Sequence, residues 1–279
     1  MADYFSSIAV DLSKKQIISS SKIEDFFNPD PEFQKIFCGS SMRDAYLFGA
    51  AFANILATKF LELEGAALGQ KIAEGWKVLD FGCGWGRISR LMARKFGQAP
   101  IYGLDVNAEA LAVASLAMPK ASFSLIDNFP PAPLRDNLID IAFSVSVFSH
   151  LNEEFQKCWA DELHRMIRSG GLLFVTYHGP WLMNRISDYE RDVGVKDAWH
   201  SSLAEQASFL EKYRQQWELG KFTYMRTGGS AMGGGEAYGD VLVPESWARE
   251  MWVTAGFEVI EWIEDKSFYP QCIAILRNH

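Results

Sequence analysis

Residues 77–96 read KVLDFGCGWGRISRLMARKF, an apolar strand, a glycine turn and an amphipathic helix in succession. That order opens an α/β unit. Working outward, IYGLD at 101–105 gives a second strand before an Ala-rich helix at 108–118, and ASFSLID gives a third that ends in NFPPAP. LIDIAFSVSV runs to SHL as a fourth strand. A helix at 152–168 follows, with Phe155, Trp159, Leu163 and Met166 on one face, and SGGLLFVTYH supplies a fifth strand. Alternating strands and helices predict a parallel, doubly wound, Rossmann-like sheet. After a helix at 245–255 come FEVIEW and QCIAILR, separated only by IEDKSFYP. That linker is too short for a parallel crossover, so the closing strands are expected to pair antiparallel, giving seven strands in all.

The 279 residues carry 27 Lys plus Arg against 35 Asp plus Glu, a net charge of −8. This is the wrong sign for a chain whose affinity comes from neutralising phosphates, so nucleic acid is not expected as a partner. Leu47 to Ala57, the most apolar early stretch, is shorter than the roughly 20 residues of a membrane span and is interrupted by Asn54. MADYFSSIAVDL has an acid where a signal peptide has basic charge, so a cytoplasmic protein is expected. Cys38, Cys83, Cys158 and Cys272 lack metal-ligand or redox spacing and are read as plain thiols.

Two segments stand outside the α/β pattern. Residues 1–75 read as a helical cap on the main domain, 76–279, with Tyr46, Phe48, Phe52, Ile55, Leu56, Phe60 and Leu63 at helical spacing. An insertion at 181–240 holds Trp181, Tyr189, Trp199, Phe209, Tyr213, Trp217, Phe222, Tyr224 and Tyr238, together with GGSAMGGGEAYG. It is too long and too aromatic for an ordinary connection, and reads either as a hinged lid or as a small satellite core.

In a doubly wound sheet, ligands bind at the carboxyl ends of the strands, which directs attention to Asp80, Gly82, Cys83, Gly84 and Gly86. A dinucleotide fingerprint needs a further glycine where Arg87 stands, so a pyrophosphate, and with it an NAD-dependent oxidoreductase, is disfavoured. Asp105 ends the second strand nineteen residues after Gly86, the interval at which an acid accepts hydrogen bonds from ribose hydroxyls. A nucleoside bearing an amino-acid moiety, such as S-adenosylmethionine, satisfies both observations.

In order and spacing, VLDFGCGWGRISR, GLDVN, IDNFPPAPLRDNLIDIAFSVSVFSHL and SGGLLFVTYHG resemble the successive motifs of class I S-adenosylmethionine-dependent methyltransferases. The resemblance covers about residues 76–178 and extends to the antiparallel tail. It implies that Gly82, Cys83, Gly84 and Gly86 surround the methionine moiety while Asp80 organises its ammonium. It further implies that Asp105 holds the ribose, Val106 flanks the adenine, Asp127 or Asn128 reaches its amino group, and the stretch from Ser144 and Val145 to Ser146 passes beneath the sulfonium. Ser169 replaces the proline usual before the paired glycines. Ser146 and Ser149 stand where quinone-type O-methyltransferases have acids, so no catalytic metal is expected.

A neutral hydroxyl acceptor needs a base, and His150 and His178 both follow strand ends on the ligand side of the sheet. Either could instead be a hydrogen-bonded structural histidine. His200 is a further residue with some reach to substrate, and His164 and His279 are given no role. Arg87 at a helix start opposes the macrodipole and is expected to find a salt bridge or a carboxylate. Arg43, Asp44 and Tyr46 belong to the cap. The expected activity is transfer of a methyl group to a hydroxyl of a small molecule or glycan. Methylation of a small amine and cofactor binding without turnover are the alternatives, and the oligomeric state is left open.

Overall fold

The computed structural model describes residues 28–38, 41–65, 75–97, 99–191, 198–228, 238–265 and 269–279. In chain order the elements are α1 (Pro31–Cys38), α2 (Met42–Glu64), β1 (Val78–Phe81), α3 (Arg87–Phe96), β2 (Ile101–Asp105), α4 (Ala108–Ala117), β3 (Ser122–Leu125), β4 (Ile139–Ser144), α5 (Glu153–Met166) and β5 (Ile167–Tyr177). They continue with α6 (Trp181–Arg191), α7 (Ala198–Ala204), a 3-10 turn (Glu205–Phe209), α8 (Leu210–Glu218), β6 (Thr223–Met225), β7 (Asp240–Leu242), α9 (Glu245–Thr254), β8 (Phe257–Ile263) and β9 (Cys272–Asn278). Seven strands form one sheet in the order β3-β2-β1-β4-β5-β9-β8. β9 pairs antiparallel with both β5 and β8. The closing pair therefore behaves as the short linker predicts, and the sheet is the expected Rossmann-like one.

Contacts divide the chain into two compact units, one ending at Leu125 and the other beginning at Ile126. In the first, α2 packs on α3 through small residues. A Cβ on Gly49 would come 3.0 Å from the Cδ1 atoms of Ile88 and Leu91, a tight contact that glycine avoids where the two helices approach. Tyr46, Phe52, Ile55, Leu56 and Phe60 are buried as the periodicity predicts, but Phe48 is 49% exposed. It stands only about 40° around the helix from the buried Phe52, so its exposure is not set by helix angle alone. The run Pro31–Glu64 is long and apolar enough to cross a membrane by length and composition, but 56% of its most apolar window is buried inside the protein.

In the second unit α5 buries Phe155, Trp159, Leu163 and Met166, the face read from the sequence. The insertion has a core of its own: Leu182, Met183, Ile186, Leu203, Leu210, Tyr213, Met225 and Leu242 pack together, with Tyr189, Trp199 and Trp217 against them. β6 and β7 form a two-stranded antiparallel ribbon at its end. The GGSAMGGGEAYG hinge expected at 228–239 lies outside the described residues except for Gly228, Tyr238 and Gly239. All four cysteines are free thiols.

One glycine in β2 is fixed by a neighbouring strand. A Cβ on Gly103 would sit 2.3 Å from the Phe123 ring and 2.9 Å from Cys83 Sγ, distances at which something must shift. Gly103→Ala is expected to destabilise the protein by about 1–3 kcal/mol through overpacking, measured as a fall in the urea midpoint with an unchanged m-value.

Candidate active site

The turn after β1 is held by β2. The N–H groups of Gly82 and Cys83 both donate to the Leu104 carbonyl, at 2.8 and 3.1 Å. Asp105 then uses both carboxylate oxygens, Oδ2 accepting from the Gly84 N–H at 2.7 Å and Oδ1 from the Asn107 N–H at 2.8 Å. Gly82, Gly84 and Gly86 adopt φ of 76°, 51° and 78°, left-handed values that admit little besides glycine. Asp80, one turn of chain earlier, accepts a 2.6 Å hydrogen bond from Ser89 Oγ on α3. Burial raises the Asp80 carboxyl to about 7, with the charge of Asp105 adding to the rise and the Ser89 hydrogen bond opposing it. Burial raises Asp105 too, against the pull of the Gly84 and Asn107 N–H groups. Cys83 is buried beside these acids and its thiol is pushed well up, so it is an unreactive lining residue. Val106 is 37% exposed at the end of β2.

The N-terminal helices reach this turn. A Cβ on Gly84 would come 3.5 Å from the Phe37 ring, which brings α1 over the glycines. Tyr46 meets Trp85 edge to face at 5.9 Å, and the Arg90 guanidinium lies 4.7 Å from the Trp85 ring. Among the described residues Arg87 makes no salt bridge. Its Nη1 donates to the Ala45 carbonyl at 2.5 Å, clamping the start of α3 to α2. Arg43 and Asp44 are exposed.

In the second unit, Asp127 and Asn128 are exposed, and the Asn128 carbonyl accepts from Trp159 Nε1 at 2.8 Å. Ser144, at the end of β4, is buried with no hydrogen-bond partner for its hydroxyl among the described residues, and Val145 is half-buried. Ser146 takes a left-handed φ of 57°. Two bonds hold it there: its N–H donates to Thr176 Oγ1 at 2.8 Å and its Oγ to Gln271 Oε1 at 3.0 Å.

His150 and His178 come together here, on a residue that the sequence reading misses. Asp240 Oδ1 lies 3.0 Å from His178 Nε2 and 3.3 Å from His150 Nδ1, while Oδ2 accepts from Thr227 Oγ1 at 2.5 Å and Trp199 Nε1 at 3.0 Å. The two imidazoles meet edge to face at 5.2 Å, and Tyr238 stacks on His150 at 4.8 Å. Burial would raise the Asp240 carboxyl, but the hydrogen bonds and charges of both histidines overcome it and hold the group far below the usual carboxylate range. Burial lowers His178, against the pull of Asp240. Among the described residues these three side chains are also the set that could hold a metal ion, their ligand atoms lying within 4.8 Å of one another. The signal for Asp240 in the sequence is faint: an acid opening the otherwise apolar run DVLV, 62 residues from His178. His200 packs against Tyr189 at 4.5 Å.

Residues 78–171 match the model of a methyltransferase domain. A trans-aconitate 2-methyltransferase of Azoarcus sp. (strain BH72) is 32% identical over 211 residues, 72% of this chain and 72% of that protein. The chain belongs to the class I S-adenosylmethionine-dependent methyltransferases. A second trans-aconitate 2-methyltransferase, from Afipia carboxidovorans, is 24% identical over 71% of this chain and 70% of its own length. Among solved structures, the magnesium protoporphyrin IX methyltransferase of Synechocystis PCC 6803 with bound SAH covers 94% of this methyltransferase and 100% of itself at TM-score 0.53 and 17% identity, a likeness of fold. The cofactor of the enzyme is S-adenosylmethionine.

The raised Asp80 carboxyl has a consequence for the cofactor-free enzyme. A group bound more tightly to its proton in the folded state stabilises below the unfolded value of 3.8 and loses that contribution as pH climbs through about 7. Asp80→Asn, which stays neutral throughout, should therefore gain on the parent by a few kcal/mol between pH 4 and pH 8. Urea denaturation across that range reads the difference, and a pH-independent gap would count against a protonated Asp80.

Proposed function

We propose that this methyltransferase methylates an oxygen of a small molecule, with His150 or His178 taking the proton of a hydroxyl acceptor. The observation that carries the reading is the pair of imidazoles held on Asp240. Each uses one ring nitrogen on the carboxylate and presents the other with no hydrogen-bond partner among the described residues. A nearly buried imidazole with a bare nitrogen is a competent base near neutral pH. The aromatic side chains beside them, Tyr238 and Trp199, suit a compact acceptor.

The glycine turn has the composition that S-adenosylmethionine requires. Its left-handed glycines let a ligand approach the main chain, and two buried acids, Asp80 and Asp105, favour a cation beside them. In this reading Gly82, Cys83, Gly84 and Gly86 enclose the methionine part, and Asp80 faces the ammonium. Asp105 keeps lone pairs for the ribose hydroxyls beyond those that bind the Gly84 and Asn107 N–H groups. Val106 contributes an exposed apolar face for the adenine, Asp127 or Asn128 meets its amino group, and Ser144 and Val145 line the sulfonium side. The cofactor supplies an activated methyl on a sulfonium. The protein's part is to orient the acceptor oxygen, exclude water and accept its proton.

Trans-aconitate, named in the relatives, carries its oxygens as carboxylates. A carboxylate needs no base, so it forms a second reading that differs in its response to the histidines. A panel of trans-aconitate, hydroxylated small molecules, free sugars and small amines, assayed with methyl-labelled S-adenosylmethionine, identifies the class. With a hydroxyl acceptor, His150→Ala or His178→Ala should lower turnover about 10²–10⁴-fold and leave cofactor affinity nearly unchanged. Methylation of trans-aconitate alone, indifferent to both substitutions, would replace the hydroxyl by the carboxylate. Methylation of amines alone would overturn O-methylation, and cofactor binding with no acceptor methylated would favour a protein without turnover.

The cofactor assignment is tested separately by calorimetry. Asp105→Ala should weaken S-adenosylmethionine binding tenfold or more, and parent-like affinity would remove Asp105 from the site.

A further inference from the structure

Asp240 is the last residue of the 181–240 insertion, and the carboxylate that meets both histidines is fixed by that same insertion. Trp199 on α7 and Thr227 beyond β6 donate to Oδ2, leaving Oδ1 for the imidazoles. The backbone adds a second restraint. The Gly239 and Val241 N–H groups donate to the carbonyls of His150 and Ser149 at 2.9 and 3.0 Å, and His150 Nδ1 lies 2.7 Å from the Gly239 carbonyl.

These partners can only accept. A carbonyl oxygen has no proton to give, so His150 Nδ1 must carry one, and in the neutral ring Nε2 is then the bare nitrogen. Asp240 receives Trp199 and Thr227 on Oδ2 and faces both imidazoles with Oδ1, so it acts as an acceptor, and His178 Nε2 likewise carries the proton while Nδ1 is bare. Opposite nitrogens of the two rings are thus set free by one carboxylate and the carbonyl of the residue before it.

We propose that Asp240 is a positioning residue for the proton-accepting histidines, fixing His178 as its Nε2–H tautomer and His150 as its Nδ1–H tautomer, and that the insertion sets this arrangement through Trp199 and Thr227. The proposal rests on the O-methylation reading only for the use to which the bare nitrogens are put. The groups that face His178 are Asp240 from β7, His150 from the turn after β4 and Arg185 from α6. Asp240 favours the imidazolium, whereas His150 and Arg185 oppose it.

Long-range ¹H–¹⁵N spectra of the cofactor-free enzyme labelled at histidine, which has only 5 such residues, read the tautomers directly. The parent should give single, opposite tautomers at His150 and His178. In Asp240→Asn, one amide oxygen replaces two carboxylate oxygens, and Trp199 and the two imidazoles cannot all be satisfied. His178 should then lose its single tautomer, and its protonation midpoint should fall because the negative charge that favoured imidazolium is gone. Thr227→Val, which spares the charge but releases Oδ2, should loosen the His178 tautomer without lowering its midpoint, and guards against failure of Asp240→Asn to fold. The proposal is overturned if the parent shows the reverse tautomers or if both variants leave the two rings unchanged. Stoichiometric Zn²⁺ binding that strips the Nε2 proton from His178 and the Nδ1 proton from His150 would also overturn it, because the cluster would then be a cation site. The His→Ala turnover assays test the O-methylation reading independently, since they depend on an acceptor and the tautomers do not.

Discussion

The bond from the Gly84 N–H to the Asp105 carboxylate ties the turn after β1 to the end of β2, and much of the first unit's architecture follows from it. Three left-handed glycines reverse the chain within a few residues, a conformation that costs much backbone entropy on folding and has few side chains to stabilise it. Bonds from Gly82, Cys83 and Gly84 to the end of β2 meet that cost locally. α3 can then start at Arg87 and bury Ile88, Leu91 and Met92. With α3 fixed, α2 has a surface to pack on, and Arg87, an awkward residue at a helix start, becomes the clamp between them.

The second unit uses a carboxylate in the same manner but from much farther along the chain. Asp105 joins neighbours in the sheet, whereas Asp240 joins residues from the turn after β4, the end of β5 and two parts of the insertion. A buried acid left without partners would cost several kcal/mol. With four donors around two oxygens its charge is stabilised, and the donors are held in fixed orientations in return.

The alternation of strands and helices and the antiparallel closing strand are legible in the sequence because each rests on a local signal. Apolar runs of strand length, glycine turns and an eight-residue linker between the last two strands suffice. His150 and His178 are legible as strand-end residues, since a doubly wound sheet sends such positions to one edge. Their partner is not legible. No periodicity links Asp240 to a histidine 62 residues away, and an acid at the mouth of an apolar strand reads equally as a solvent-facing end. The destiny of Arg87 escapes for a related reason: main-chain carbonyls make no distinctive pattern in a sequence. The exposure of Phe48 is not legible, because it shares its side of α2 with Phe52 and Ile55, which are both buried.

The insertion encloses a small core of its own, built from Leu182, Met183, Ile186, Leu203, Leu210 and Tyr213. A segment that buries its own apolar residues can change its outer side chains without disturbing the sheet that carries it. Drift in that segment is limited by a few anchors, Trp199, Thr227 and Asp240, whose loss would be felt at the histidines. Such an arrangement separates a surface free to vary from the few side chains that hold the two histidines in place.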